Sequence, residues 1–391
     1  MGQSARVANA GPLAGIRVLD LCTVGPGARA AALLADLGAD VVKVGPPAAA
    51  NRIVAADWAY SAARGTRRIG INLKDSRGRD AFLQLAQGAD VVLEGFRPGV
   101  AARLGICFED IASINVKIVY ASLTGYGQDG PYAQWAGHDL NYQAVGGVLG
   151  LQGVDDNGTP SLPGATWADS AGGGFHAVMS ICAALVGDPA TRQATHLDVS
   201  ATDGVLSAMS LMIDEHLATG VQHRPGTSIL TGRYACYGVY ACADGRHVAV
   251  GAIEPVFWRN LCRLLELDHL MDLQRDDKQQ DQVRSALAAK FASGDRDDWV
   301  KLLGHADTCV SPVLAPHEVV VDEHLVARGS ITSVQSGGAP SRQVSRMLAG
   351  AVRPGQETGT GVAMTEPREL LREAGFDDAT IDTLLDQEVV Q

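Results

Sequence analysis

The sequence predicts an α/β protein: a large domain built on a doubly wound, Rossmann-like parallel sheet, and a smaller α+β domain after it. Three observations predict this. Short aliphatic runs alternate with helical segments through the first half of the chain. These runs are apolar throughout rather than at every second position, as strands covered on both faces are. Beyond residue 227 the pattern changes to aromatic and β-branched strands turned at Asp244-Gly245, a hairpin signal.

Taken in order, residues 16–21 make the first predicted strand. A helix over 28–37 follows, in which Ala30, Leu33, Leu34 and Leu37 recur at helical spacing. Residues 40–44 form the second strand, and a strand-like stretch over 69–74 ends at Lys74. A helix over 77–87 leads into a strand at 90–94, and residues 117–123 form another, stopped by Thr124-Gly125-Tyr126-Gly127. Apolar helices are expected at 172–186 and 202–217, and after the hairpin region 227–251 at 257–267 and 281–291. Residues 329–361 read as loop and 369–385 as a short helical ending. The expected domains are 1–224 and 225–325, with 326–391 returning to the large domain or wrapping a partner.

At 391 residues the chain exceeds the usual size of one core, which favours two lobes. Hydrophobic residues at 46% and charged residues at 19% suit a soluble globular protein. No apolar stretch approaches membrane-spanning length, and residues 1–10 lack the apolar middle of a signal peptide. A cytoplasmic protein without a membrane partner is expected. The seven cysteines, scattered from Cys22 to Cys309 without a C-x-x-C pair, read as reduced thiols rather than a disulfide framework. No metal site is expected.

A net charge of −12 disfavours nucleic acid as a partner, because phosphate neutralisation needs a basic surface. Yet Arg64, Arg67, Arg68, Lys74, Arg77 and Arg79 fall within sixteen residues that hold one acid, Asp75. Such a stretch suits a small polyanion such as a nucleotide tail, and equally a solvated helix face with strand ends.

Gly25-Pro26-Gly27-Ala28-Arg29-Ala30 lies between the first strand and its helix and matches G-x-G-x-x-A. A dinucleotide fingerprint also needs an acid about twenty positions on, to hold the ribose. Here the second strand ends Lys43-Val44-Gly45-Pro46-Pro47, and Pro26 removes a backbone N–H from the turn. A tight strand–helix turn explains these glycines better than a nicotinamide site.

The remaining chemistry is carried by His138 and Asp139, by Asp169 before a glycine triplet, and by Glu254 before Pro255. An imidazole and a separate carboxyl group facing one carbon from opposite sides can remove a proton and return another. A lone histidine is more often structural, so the surrounding motifs decide.

Those motifs are Gly11-Pro12-Leu13-Ala14-Gly15-Ile16-Arg17-Val18-Leu19-Asp20-Leu21, Ala35-Asp36-Leu37-Gly38-Ala39-Asp40-Val41-Val42-Lys43 and Gly95-Phe96-Arg97-Pro98-Gly99. With Thr124-Gly125-Tyr126-Gly127-Gln128-Asp129-Gly130-Pro131, the sequence resembles the class III coenzyme A transferases over nearly its whole length. Gly137-His138-Asp139-Leu140-Asn141-Tyr142 and Val250-Gly251-Ala252-Ile253-Glu254-Pro255 resemble the α-methylacyl-CoA racemase branch of that family. The resemblance implies an interlocked homodimer and an acyl-CoA substrate, with coenzyme A as part of the substrate and no separate cofactor.

The resemblance also implies roles. His138 and Asp169 are the acid/base pair, and Glu254 orients the histidine and favours its cation. Backbone N–H groups near Asp169-Ser170-Ala171-Gly172 are expected to take the enolate oxygen. Arg64, Lys74, Arg97, Asp139 and Tyr142 are expected at coenzyme A, with Asp139 equally a hydrogen-bonding scaffold. Tyr237 matches an active-site tyrosine, with core packing an equal alternative. Arg233 is a candidate anchor for a polar acyl group. The rival reading is a coenzyme A transferase, in which Asp169 is the nucleophile, and a third is a noncatalytic acyl-CoA-binding homologue.

Overall fold

Adjacent valines and leucines in the short aliphatic runs send their side chains to opposite sides of a strand. Val18 and Leu19, Val41 and Val42, Val91 and Val92 are all fully buried, so both sides must be covered. The computed structural model describes residues 11–47, 65–188, 190–334, 341–351 and 367–391. Arg64 therefore lies outside the described residues.

The first unit contains β1 (Arg17–Asp20), α1 (Gly25–Asp36), β2 (Asp40–Gly45), β3 (Thr66–Gly70), α2 (Ser76–Gln87), β4 (Val91–Glu94), α3 (Val100–Leu104), α4 (Phe108–Ala112) and β5 (Val119–Thr124). It continues with α5 (Asp139–Val145), a π-helix (Ala168–Phe175), α6 (His176–Leu185), β6 (Thr195–Ser200) and α7 (Ala201–Ala208). The six strands form one parallel sheet in the order β3-β2-β1-β4-β5-β6. One face packs Leu19, Val42, Ile69 and Val92 against Phe82 and Leu85 of α2. The other packs Val18, Val41, Val91 and Leu123 against Leu34 of α1 and Ile181 of α6. Each fully buried aliphatic side chain contributes about 1.5–3 kcal/mol relative to exposure.

The chain leaves β1 toward β2 and β3 on one side, and β4 leads to β5 and β6 on the other. The loops at the C-terminal ends of β1 and β4 therefore part, which opens a crevice where ligands collect in such sheets.

At the opposite, N-terminal edge of the sheet sits a buried cluster of four charges. Arg17 Nη2 donates to Asp40 Oδ2 (2.8 Å) and to Glu373 Oε2 (2.7 Å). Arg67 adds a two-pronged contact to Glu373, at 3.0 and 2.8 Å. Glu373 belongs to α14 (Pro367–Glu373), so this cluster ties the end of the chain to three strands. The last residues also extend the sheet edge: Gly70 and Gln391 exchange backbone hydrogen bonds, and Ile71 bridges Val390.

Three readings are corrected. Strand β6 was not anticipated, because Thr195-His196-Leu197-Asp198-Val199-Ser200 alternates polar and apolar residues as an edge strand does. The expected loop at 329–361 contains an antiparallel pair, β10 (Ile331–Val334) and β11 (Ser341–Val344), whose polar residues conceal its β-branched pattern. The helix expected to start at 172 starts at Ala168 and runs as a π-helix up to Phe175.

The glycines explain how that helix fits. A Cβ on Gly172 would lie 2.4 Å from Ala201 O, and one on Gly173 would lie 2.5 Å from Pro26 Cβ. Only bare backbone can pass this close to both α1 and α7. On the facing helix, a Cβ on Gly204 would lie 2.0 Å from Gly172 O, against backbone that cannot rotate away. Gly204→Ala is expected to destabilise the protein by about 3 kcal/mol, the upper end for overpacking. Urea unfolding at constant m-value measures this; an unchanged midpoint would show that the helices can separate freely.

The second unit comprises Leu149–Leu162 and Leu211–Asp322. Helix α8 (Ser210–Thr219) begins at the boundary. Strands β7 (Tyr237–Ala241), β8 (His247–Gly251) and β9 (Val310–Pro312) form an antiparallel sheet. Gly245, at φ 75°, makes the turn between β7 and β8. Helices α9 (Pro255–Leu264), α10 (Gln280–Phe291) and α11 (Arg296–Leu303) supply Trp258, Leu261, Leu287, Phe291 and Leu303 to its core. Short helices α12 (Pro316–Val319), α13 (Glu323–Ala327) and α15 (Asp378–Asp386) complete the described elements.

Candidate active site

The crevice is a cavity of about 820 Å³. Leu21, Cys22 and Thr23 leave β1 along one wall, and Gly95, Phe96 and Arg97 leave β4 along the next. Tyr126, Trp135, His138, Asn141 and Tyr142 form the far side. A second cavity of about 430 Å³ shares Leu21, Thr23 and Phe96 with the first and adds Gly45, Pro46, Asn72, Lys74 and Gln391.

Both loops are pinned from beneath by carboxylates. Asp20 Oδ1 accepts from Cys22 N at 2.8 Å, while Lys43 pairs with the Asp20 carboxylate and donates to Cys22 O. Glu94 accepts from Phe96 N at 2.7 Å, and burial pushes its carboxyl above the ordinary value. The Cys22 thiol is raised well above its usual value by burial and then by Asp20, so it is not a nucleophile.

His138 is the N-cap of α5, exposed, with its imidazole on the cavity. Its backbone N–H donates to Asn141 Oδ1 at 3.0 Å, which fixes the corner where loop becomes helix. Asp169 lies in the first turn of the π-helix, half-buried. Its carboxyl group rests against Gly25 at the start of α1, where a Cβ would be 3.6 Å from Asp169 Oδ2. The neighbours of that glycine, Val24 and Pro26, line the same cavity as His138.

The electrostatics of Asp169 has four parts. Burial, and next the charge of Asp139, raise its pKa; Arg29 and His138 pull it down. The net direction is upward, so this carboxyl holds a proton more readily than an exposed one. Because His138 is among its partners, a positive imidazole favours release of that proton.

Asp139 spends both carboxyl oxygens on the protein. Oδ1 accepts from Asp169 N at 2.9 Å, and Oδ2 accepts from Gln143 Nε2 at 2.5 Å. The Tyr142 hydroxyl donates to Gly137 O at 2.5 Å; burial and then Asp169 push it up to about 12. Arg97 is exposed on the larger cavity and Lys74 on the smaller one. The two of the three expected cations that are described thus line two adjoining spaces.

One expectation fails here for two of its four residues. The backbone N–H groups of Asp169 and Ser170 are already donated, to Asp139 Oδ1 and to Thr166 O. They cannot also hold an enolate oxygen.

Glu254, Tyr237 and Arg233 lie on the second unit. Glu254 is the exposed N-cap of α9, and its charge helps raise the Cys309 thiol. Tyr237 opens β7 and is half-buried. Both prongs of the Arg233 guanidinium are taken by Asp277, at 3.0 and 2.9 Å, so its charge is offset locally.

Three site residues escaped the sequence reading. Arg29 acts on Asp169 from α1, Gln143 holds Asp139, and Trp135 stacks on Tyr132 at 3.9 Å on the cavity wall. Gln143 stands four residues after Asp139, so helical spacing was an available signal. Nothing local marks Arg29, whose relation to Asp169 exists only in the fold.

The sequence profile of CoA-transferase family III matches residues 13–362. Alpha-methylacyl-CoA racemase of Homo sapiens is 31% identical over 382 residues, covering 97% of either chain. Succinyl-CoA:glutarate CoA-transferase of Homo sapiens is 28% identical over 408 residues, covering 98% of this chain and 90% of that one. Among solved structures, a hypothetical protein from Mycobacterium tuberculosis superposes with a TM-score of 0.77 at 25% identity, covering 93% of this chain and 99% of that one.

Proposed function

The chain belongs to CoA-transferase family III, and from that premise we propose that it interconverts the two C2 configurations of a 2-methyl-branched acyl-CoA thioester. The observation that carries the reading is that His138 lines the cavity and the Asp169 carboxyl rests against Gly25, whose neighbours line the same cavity, with the two groups in electrostatic reach and Asp169 holding a proton more readily than an exposed carboxyl.

In this reading neutral His138 takes the C2 proton. The electron pair left on carbon delocalises onto the thioester carbonyl oxygen as an enolate. Protonated Asp169 then delivers its proton to the opposite face of C2, which re-forms the thioester with inverted configuration. The imidazolium created in the first step lowers the proton affinity of Asp169 at the moment it must act as an acid. The reverse reaction swaps the roles.

Coenzyme A binding is assigned to the two adjoining cavities, with Arg97 and Lys74 facing its phosphates and pantetheine. No metal or redox group has a part in these steps.

A second reading is supported by the transferases among the relatives. There the Asp169 carboxylate attacks the thioester carbonyl and expels the coenzyme A thiolate, leaving an acyl anhydride. That step needs the ionised form, which burial and Asp139 make less favourable than in an exposed carboxyl.

One experiment separates the readings. An enantiopure 2-methylacyl-CoA is incubated in heavy water with and without a free carboxylic acid, and the C2 proton and thioester identity are followed. Exchange with inversion in the absence of acceptor is the expected result. Thioester transfer without exchange would establish the second reading instead, and neither outcome would leave a noncatalytic binding protein.

A further inference from the structure

Gln143 is fully buried in α5, 0% exposed, yet it turns its amide so that only one end is used. Nε2 donates to Asp139 Oδ2 at 2.5 Å, while Oε1 has no hydrogen-bond partner. A buried acceptor left unpaired costs about 1–3 kcal/mol. The donated N–H holds the Asp139 carboxylate in place. The other oxygen of that carboxylate accepts the backbone N–H of Asp169, thirty residues further along the chain.

We infer that Asp139, clamped by Gln143, is a positioning residue whose fixed negative charge sets the proton occupancy of Asp169. This rests on the reading of Asp169 as the proton-carrying carboxyl. Two carboxylates joined through one backbone N–H repel, and the repulsion falls on whichever of the two is free to take a proton. Both Asp139 oxygens accept N–H groups, which fixes where that carboxylate stands beside Asp169. Its charge, after burial, raises Asp169.

The groups facing Asp169 are Arg29 from α1, His138 at the N-cap of α5, and Asp139 and Tyr142 from α5 itself. Asp139 is the one carboxylate among them. It opposes the two cations and adds to burial, the larger upward influence on Asp169. A site built to move a proton in both directions needs this counterweight.

The test is Asp139→Asn. The shape is unchanged: Asn Oδ1 still accepts from Asp169 N, and the Gln143 amide turns over so that its idle Oε1 accepts from Asn Nδ2. The variant is expected to fold. The readout is carbon NMR of protein labelled at aspartate carboxyls, with the Asp169 signal assigned by its loss in Asp169→Asn. The titration midpoint of Asp169 is expected to fall to lower pH, and the acid limb of the exchange rate profile to follow it. An unmoved midpoint in a folded variant overturns the inference.

Should Asp139→Asn not fold, Gln143→Met carries the test. It removes the clamp, lets the Asp139 carboxylate swing away, and is expected to lower the same midpoint; no change would again overturn the inference. Failure of the functional reading looks different. A midpoint that falls in a protein showing no C2 exchange leaves the inference standing and removes the racemase reading. Exchange with an unmoved midpoint does the reverse.

Discussion

Asp169→Asn is expected to lower C2 exchange by about a thousandfold, within the range for loss of a positioned acid or base, with acyl-CoA affinity retained. The substitution keeps volume and keeps the Asp169 backbone N–H on Asp139. What it removes is a proton that can leave. The expected split is a fall in kcat with KM little changed, because the side chain acts on the transition state rather than on the bound nucleotide. His138→Ala is expected to abolish inversion to a similar extent, again without loss of coenzyme A affinity. Both variants are measured by the loss of deuterium exchange at C2 from each enantiomer separately. Retained inversion in either would remove that residue from the mechanism.

Glu373→Ala is expected to lower folding stability by about 3–5 kcal/mol, the range for removing one partner from a buried ion cluster. Its side chain is 6% exposed and those of Arg17 and Arg67 are 8% and 7% exposed, so the variant leaves two buried guanidinium groups with Asp40 as the carboxylate they still share among the described residues. The pH dependence has a definite sign. Burial pushes the Glu373 carboxyl up, but the hydrogen bonds and charges of Arg67 and Arg17 outweigh it and hold it below the usual value. The stabilisation is therefore fully present above the unfolded value of about 4.3. It is lost as pH falls through the lower, folded value. Urea midpoints of the native and variant proteins should converge in acid. A constant difference across that range would show that Glu373 acts through packing rather than charge. Because the cluster joins strand beginnings, while the cavity sits at strand ends, the folded fraction of the variant should keep its exchange activity.

These two residues differ in how they could be found. Asp169 stands before Gly172-Gly173-Gly174, inside a motif visible in the sequence itself. Glu373 looks like any charged residue on the polar side of a short helix. Its partner Arg67 is 306 residues away, and no local pattern links them. The same holds for Arg233, whose charge looks available until Asp277 is placed beside it. The strands show the contrast from the other side. Continuous apolar runs revealed β1, β2, β4 and β5, since both faces of each are buried; edge strand β6 has its outer half in solvent and an alternating sequence, so it stayed hidden.

Local chemistry thus determined the α/β class and the hairpin at Gly245, because burial and turn geometry act on neighbouring residues. The fold alone decided that the Asp139 carboxylate meets Asp169, that Gln143 locks it there, and that two N–H groups expected to face a ligand are already taken. Charge interactions depend on separation and on how much water lies between the groups. Neither quantity exists until distant segments have packed.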